Sequence, residues 1–349
     1  MEEIDMSKED KKIADDLQAE LKRVLGLEYL TKKKLDAYNA NLFLLKDIWK
    51  NNKKSQIKNL GWDDPEKIPF FPEADSFKAS SSLCKYNTDK LVMNAEMIEY
   101  DFTEAYTNIM RIYKLPSNTY LKNKPTTDKV LGRMSEHQAN PSKHPYRELS
   151  TFWFIQMDIE AIRKESTYAK EGSMLSIYGD VLSARNLILS EIELKLIFDF
   201  YDVKKLEVTD GHMFRTRKGM LDDYFQRVDK LKDIEAFRED KTYKKMRNKL
   251  YGQIGKLELG DYGKKVFSFP MYNRAFSAMV AGVFRDMMIR FEQKYVNSEY
   301  DLLFIRTDGI YFKKEVPEFE ILASKGVVKK KIHTIGDQEF QMADMNTYH

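Results

Sequence analysis

Two strand-like stretches that each carry an aspartate, one alternating and one a hairpin of apolar arms, constrain this chain more than any other feature. In Met97–Phe102, Ile98, Tyr100 and Phe102 fall on one face, and Met97, Glu99 and Asp101 on the other, the period of a strand. Leu302–Phe312 carries two apolar arms around Thr307-Asp308-Gly309, a hairpin pattern with an Asp-Gly turn. Between them, Lys241–Gly255 is helical. Met246, Leu250 and Ile254 recur at i, i+4 and i+8, and Lys244, Asn248 and Tyr251 stand on the opposite face. If the two strands are neighbours, Asp101 and Asp308 meet at one end of a sheet, which calls for a mixed helix-and-sheet fold.

The rest of the chain reads around that frame. Residues 1–60 are charged and helical, with Leu17, Leu21 and Leu25 at helical spacing. Trp62–Lys85, rich in Pro and Ser, reads as a loop and a boundary. A helix is expected over Thr103–Tyr113, ending before Pro116. Residues 116–150 are polar and proline-punctuated and read as loops or an insertion. Helices follow at Ser190–Asp202, Gly219–Lys232 and Pro270–Tyr295, the last with Phe276, Val280, Val283, Met287 and Phe291 on one stripe. Leu206–Phe214 reads as a strand.

Composition excludes several classes. With 42% hydrophobic and 13% aromatic residues, the 349-residue chain is globular, not disordered. Its length allows two or three subdomains. One cysteine, Cys84, excludes an internal disulfide and a Cys-rich zinc site. The five histidines show no metal-ligand spacing. No stretch approaches the ~20 apolar residues of a membrane span, so the expectation is a soluble, cytoplasmic protein. The net charge of +3 is too balanced to argue for nucleic acid by itself. A basic groove would need local segregation, as in Lys32–Lys34 and Lys329–Lys331.

Paired strand-end carboxylates with a Lys/Asn/Tyr helix face suit phosphoryl transfer to a 3′ hydroxyl. That chemistry uses two divalent ions about 3.5–4 Å apart. Mg²⁺ (or Mn²⁺) needs only one or two protein carboxylates beside substrate phosphates. Asp101 and Asp308 are the candidates, with the Phe102 carbonyl as a further ligand. Lys244 is placed to neutralise a triphosphate, and Tyr251 to pack on a base pair. Each feature alone has a plainer meaning. Asp-Gly is a common hairpin turn, Asp101 alone is a solvated strand-end carboxylate, and the helix face and the Lys329–Lys331 run are ordinary solvated surfaces.

Taken in order, these segments resemble B-family DNA polymerases, most of all the protein-primed type of small phages and linear plasmids. The first motif, an Asp followed five residues later by a Tyr, is matched by Asp101 and Tyr106 in DFTEAYTNI. The second, Lys-x3-Asn-Ser-x-Tyr-Gly, is matched by Lys244, Asn248, Tyr251 and Gly252. The third, Asp-Thr-Asp-Ser, is matched in part by Arg306-Thr307-Asp308-Gly309. The stretch FYDVKKLEVTDGHMFRTRKGMLDDYFQRVDKLK resembles the family's approach to its fingers, and Lys232 matches its second triphosphate-binding lysine. Pro270–Phe291 is similar to the family's helix between the second and third motifs. The resemblance covers roughly residues 95–315. Departures are Arg306 for the first Asp of the third motif, Glu104, Ala105 and Thr107 around Tyr106, and Lys249 for the serine of the second motif. A guanidinium cannot bind a metal, so Arg306 is expected on a phosphate.

The resemblance implies an α+β fold: a palm of antiparallel sheet with packed helices, and a helical fingers subdomain. The divisions expected are a helical N-terminal region (1–85), first palm part (86–215, with an insertion at 116–171), fingers (216–256), second palm part (257–315) and a C-terminal segment or thumb remnant (316–349). Only 100 residues precede Asp101 and 41 follow Asp308, so the expectation is no exonuclease domain and a thumb reduced, absent or trimmed away. The implied activity is template-directed DNA synthesis without proofreading, from dNTPs onto a 3′ hydroxyl or the hydroxyl of a priming protein. Asp101 and Asp308 would hold metal; Lys232 and Lys244 the triphosphate. Tyr106 would lie under the sugar, with Asn248 and Tyr251 on the nascent base pair. Arg306, Lys313, Lys314, Lys329, Lys330 and Lys331 are the DNA-binding candidates. Partners would be primer-template DNA, dNTP, and a terminal protein or accessory subunit, in a host cytoplasm if phage-encoded. Two alternatives stand: an untemplated or priming nucleotidyltransferase, and an inactive polymerase-like protein that binds nucleic acid or a replication partner.

Overall fold

The computed structural model describes residues 8–61, 83–86, 95–121, 124–139, 145–169, 173–255, 257–259, 265–267 and 272–334. Most of the Trp62–Lys85 boundary segment therefore lies outside the described residues. In chain order the elements are helices α1 (Lys8–Leu25) and α2 (Ala37–Asn51), strands β1 (Leu83–Lys85) and β2 (Glu96–Phe102), helix α3 (Ala105–Ile112), strand β3 (Leu115–Leu121) and helix α4 (Thr127–Ala139). Then come β4 (Thr151–Arg163), β5 (Val181–Ser190), α5 (Glu191–Phe200), β6 (Tyr201–Arg217), α6 (Asp222–Asp229), α7 (Glu235–Glu239) and α8 (Thr242–Gly255). The last are β7 (Leu257–Leu259), β8 (Lys265–Phe267), α9 (Arg274–Tyr295), β9 (Leu302–Arg306), β10 (Gly309–Phe312), α10 (Pro317–Ser324) and β11 (Val328–Thr334). The mixed helix-and-sheet class expected from the alternation is the one observed.

The chain divides into two compact units. The first comprises Met1–Phe70, Met110–Tyr120 and Phe214–Ser277, and the second Phe71–Ile109, Leu121–Met213 and Ala278–His349. In the first unit, α1 packs on α6, and α2 on both α6 and α8. Asp36 caps α2, accepting from the amides of Tyr38 and Asn39. The fully buried Asn41 locks the pair. Its Nδ2 donates to the Met246 carbonyl (2.8 Å) and to Gln253 Oε1 (2.6 Å), and its Oδ1 accepts from the Tyr224 hydroxyl (2.7 Å). Such a group buried without partners would be costly, so its three bonds define how α2 meets α8.

The second unit holds a five-stranded sheet in the order β1-β9-β10-β2-β11, whose β10–β2, β10–β9 and β11–β2 pairs are antiparallel. One face of β2 carries Ile98, Tyr100 and Phe102 into an aromatic cluster under α9 and α10. Phe319 lies 5.0 Å from both Tyr100 and Phe291, and Phe102 lies 5.8 Å from Phe291. The other face carries Glu99 and Asp101. The alternation seen in the sequence is thus a division between core and polar faces.

A four-stranded sheet has the order β3-β6-β4-β5. Its strand β3 and the helix α4 correct the reading of residues 116–150 as loops or an insertion. Leu115–Leu121 is a strand, and Pro116 is tolerated because β3 is an edge strand. Thr127–Ala139 is a helix anchored by only Val130 and Met134, one turn apart, too thin a stripe to stand out among polar residues.

Candidate active site

The register of the five-stranded sheet decides which side chains share a face. Asp101 stands opposite Gly309 on one side and Lys329 on the other, and Gly309 stands opposite Arg306. The Phe102 amide donates to the Asp308 carbonyl at 3.0 Å. Asp101 and the Thr307-Asp308 turn therefore share one end of the sheet, though they are remote in the chain. Thr307 takes a left-handed conformation (φ 54°), uncommon for a β-branched residue, where the hairpin reverses.

The neighbouring row holds a carboxylate that motif spacing did not single out. Glu99 is 7% exposed. It bonds to His333 Nε2 at 2.6 Å and accepts from Lys331 Nζ at 3.2 and 3.3 Å. Burial pushes its carboxyl up, but the bonds from His333, Lys331 and Tyr311 outweigh this and hold it below the usual range. Tyr311 stacks on Phe304 at 4.1 Å. Its hydroxyl is held far above its ordinary value, first by burial and then by the charge of Glu99. Lys331 also reaches Asp101 Oδ2 at 3.4 Å. Burial lowers its ammonium, but the two carboxylates raise it further, so it stays charged. The signal for Glu99 was its place on the Asp101 face of the strand. Its partners Lys331 and His333 arrive from β11, which no local pattern ties to β2.

Gly309, where the similar motif has Ser, has a steric reason. A Cβ there would lie 3.0 Å from Tyr311 Cε2 and 3.2 Å from Glu99 Oε1. The glycine leaves room for this pair.

The basic candidates separate. Lys329 and Lys331 share the Asp101 face, whereas strand alternation turns Lys330 to the other. There it pairs with Glu315 and, at 2.9 Å, with Glu320. The Lys329–Lys331 run is therefore not one basic surface. Arg306 is exposed in the Asp101 row. Lys313 is exposed, and Lys314 Nζ donates to the Glu299 carbonyl (2.8 Å). Tyr106, in the first turn of α3, is 9% exposed, with its ring 5.1 Å from Phe284.

Lys232, Lys244, Asn248 and Tyr251 belong to the first unit. On α8, Met246, Leu250 and Ile254 are buried, Lys244 and Asn248 exposed, and Tyr251 half-buried. The two stripes expected from the spacing are both present. Lys232, in a short 3-10 turn, places its ammonium 5.2 Å from the Tyr243 ring. The fully buried Arg247 pairs with Asp229, which also takes Arg111 at 2.6 Å.

Among the described residues, no three His, Cys, Asp or Glu side chains gather into a preformed metal cage. Two aspartates and a backbone carbonyl are nevertheless hard oxygen donors. They fit Mg²⁺, which takes one or two carboxylates and completes its shell with water and phosphate. The Lys331 ammonium is the resident counter-charge of Asp101.

No family model matches this chain, and no curated protein matches it. Solved structures do. Phi29 DNA polymerase complexed with primer-template DNA and incoming nucleotide aligns with a TM-score of 0.57 at 17% identity, covering 90% of this chain and 55% of that one. Phi29 DNA polymerase complexed with single-stranded DNA aligns at 0.56 and 16% identity, covering 86% and 51%. The chain thus spans about half the length of the polymerase it matches. At such identity the likeness establishes the fold: this chain has a helix-and-antiparallel-sheet arrangement similar to part of phi29 DNA polymerase.

Proposed function

We propose that this chain is a DNA-directed DNA polymerase of the B-family kind, adding deoxynucleotides to a 3′ hydroxyl or to the hydroxyl of a priming protein. One observation carries the reading: Asp101, near the end of β2, and the Asp308 turn between β9 and β10 stand at the same end of one sheet, in a fold similar to part of phi29 DNA polymerase. In this reading the five-stranded sheet is the palm and α6–α8 are the fingers. Asp101, Asp308 and the Phe102 carbonyl would hold Mg²⁺ or Mn²⁺, which when bound would supply Lewis-acid stabilisation to the attacking hydroxyl and the departing pyrophosphate. Lys232 and Lys244 take the triphosphate as point charges. Tyr106 lies under the sugar, and Asn248 and Tyr251 pack on the nascent base pair. Arg306, Lys329, Lys313 and Lys314 contact DNA phosphates. Lys331 holds the Asp101 carboxylate in place, and Glu99, itself held by His333, anchors Lys331.

One observation favours a second reading, a polymerase-like protein that binds nucleic acid without catalysis. Three cationic residues, Arg306, Lys329 and Lys331, stand on the Asp101 face of the sheet, and Lys331 already neutralises Asp101 at 3.4 Å. Primer extension with and without template, in Mg²⁺ and Mn²⁺, separates the two. Template-directed addition in either metal supports the polymerase. Primer-template binding with no addition in both supports the second reading.

A further inference from the structure

We infer that Lys46, Trp49, Lys50, Lys53, Lys54 and Lys58 form a docking ridge for single-stranded nucleic acid on the first unit. Lys46, Trp49 and Lys50 follow one another at i, i+3 and i+4, one stripe along α2, and Lys53 and Lys54 stand in the turn just beyond its extended C-cap, Asn52. The opposite stripe, with Asn41, Leu44, Leu45 and Ile48, is buried. Beyond the helix the chain turns through Gln56–Asn59 and returns Lys58 beside Trp49. Trp49, Lys50, Lys58, Gly61 and Asn118 line one cavity of about 390 Å³. Asn118 Nδ2 donates to the carbonyls of Lys58 (2.9 Å) and Gly61 (3.0 Å), so this part of the cavity wall is held in place.

Among the described residues the charge of the ridge meets no acidic partner. The one acid between residues 46 and 58, Asp47, is 7% exposed, with one oxygen on Arg227 (2.8 Å) and the other on Asn51 (2.7 Å). Among the described residues, none of the five ridge ammoniums lies within 4 Å of a carboxylate. Lys46, Lys50, Lys53, Lys54 and Lys58 are all exposed, and Trp49 is half-buried between them. Like charges gathered without counter-charge repel one another, and a polyanion relieves that repulsion. The indole selects the kind of polyanion. Single-stranded nucleic acid offers unpaired base faces to an aromatic platform flanked by cations, and a duplex hides them in its stack. An acidic protein surface would satisfy the lysines but has no use for the ring.

This ridge goes beyond the polymerase reading, and its test does not depend on catalysis. The full chain is titrated by fluorescence anisotropy against a labelled oligo-dT of about 16 nucleotides and a duplex of the same length, from about 50 to 200 mM salt. The wild type should bind the single strand tighter than the duplex. Lys50→Glu with Lys58→Glu should weaken single-strand binding at least ~10-fold and flatten its log K against log salt slope by about 1.4, two phosphate contacts at ~0.7 each. Trp49→Ala should weaken it ~10-fold with the slope unchanged, and Trp49→Phe, which keeps a ring, should restore most of the loss. Melting curves confirm that each variant folds. Lys12→Glu, on α1, is the charge control. The inference is overturned if the wild type does not bind, or if Trp49→Ala and the double reversal stay within twofold of wild type. It is equally overturned if the variants lose single-strand and duplex binding to the same extent, which would leave a basic surface without base stacking.

Discussion

At the scale of single residues, the site is a set of charges that need one another. Asp101 is held by Lys331, Lys331 by Glu99, and Glu99 by His333 and Tyr311. The aspartates and the Lys/Asn/Tyr face were legible because each sits in a short local pattern. Glu99 was legible only as a strand position, because its meaning comes from β11, far along the chain. Tyr106 illustrates the limit of a motif. The structure shows a buried ring against Phe284, which suits a core aromatic as well as a floor for the sugar. Under the proposed reading, Tyr106→Val opens volume for a 2′-hydroxyl. Ribonucleotide incorporation, measured by alkali-labile sites in extended primers, should rise at least ~10-fold. Unchanged discrimination, with only a lowered melting temperature, would leave Tyr106 a core residue.

Among the elements, α8 is the most informative, because its two faces have separate roles. Its exposed face carries Lys244. Lys244→Ala should raise the apparent KM for dNTP ~10-fold while primer-template affinity changes less than twofold, since a lysine–phosphate contact is an electrostatic point contact. Loss of DNA binding with normal dNTP use would reassign it. The buried face is held by Asn41 of α2. Asn41→Ala removes three hydrogen bonds and leaves the Tyr224 hydroxyl and Gln253 without their partner. A destabilisation of about 2–4 kcal/mol is expected from denaturant midpoints; a change under ~0.5 kcal/mol would show that α2 is not locked to α8 by this residue. The helices and the Leu302–Phe312 hairpin were readable because periodicity is local. β3 and α4 were not, since an edge strand tolerates Pro116 and α4 rests on Val130 and Met134 alone. The union of β11 with β2 left no local trace at all.

For the molecule as a whole, stability and activity should respond to pH and to substitution at different places. Glu292, fully buried on α9, accepts from the Tyr86 hydroxyl (2.6 Å) and the Met174 amide (2.9 Å), tying three stretches of the second unit together. Burial raises its carboxyl, and the bonds from Tyr86, Met174 and Gln293 only partly offset this. With the folded value above the unfolded one, its contribution is full below the unfolded value and is lost as pH rises through the folded one. Glu292→Gln keeps the acceptor oxygen and does not titrate. Its urea midpoint should therefore gain on the wild type between about pH 5 and pH 8; parallel profiles would show that Glu292 does not titrate there. The central claim is that Asp101 and Asp308 form one metal-dependent site, and single-nucleotide incorporation on a primer-template tests it most directly. Wild type should add the templated dNTP in Mg²⁺ or Mn²⁺. Asp101→Ala and Asp308→Ala should each lose about a thousandfold in rate, ~4 kcal/mol, while still binding primer-template. Near-normal incorporation by either variant would contradict the account.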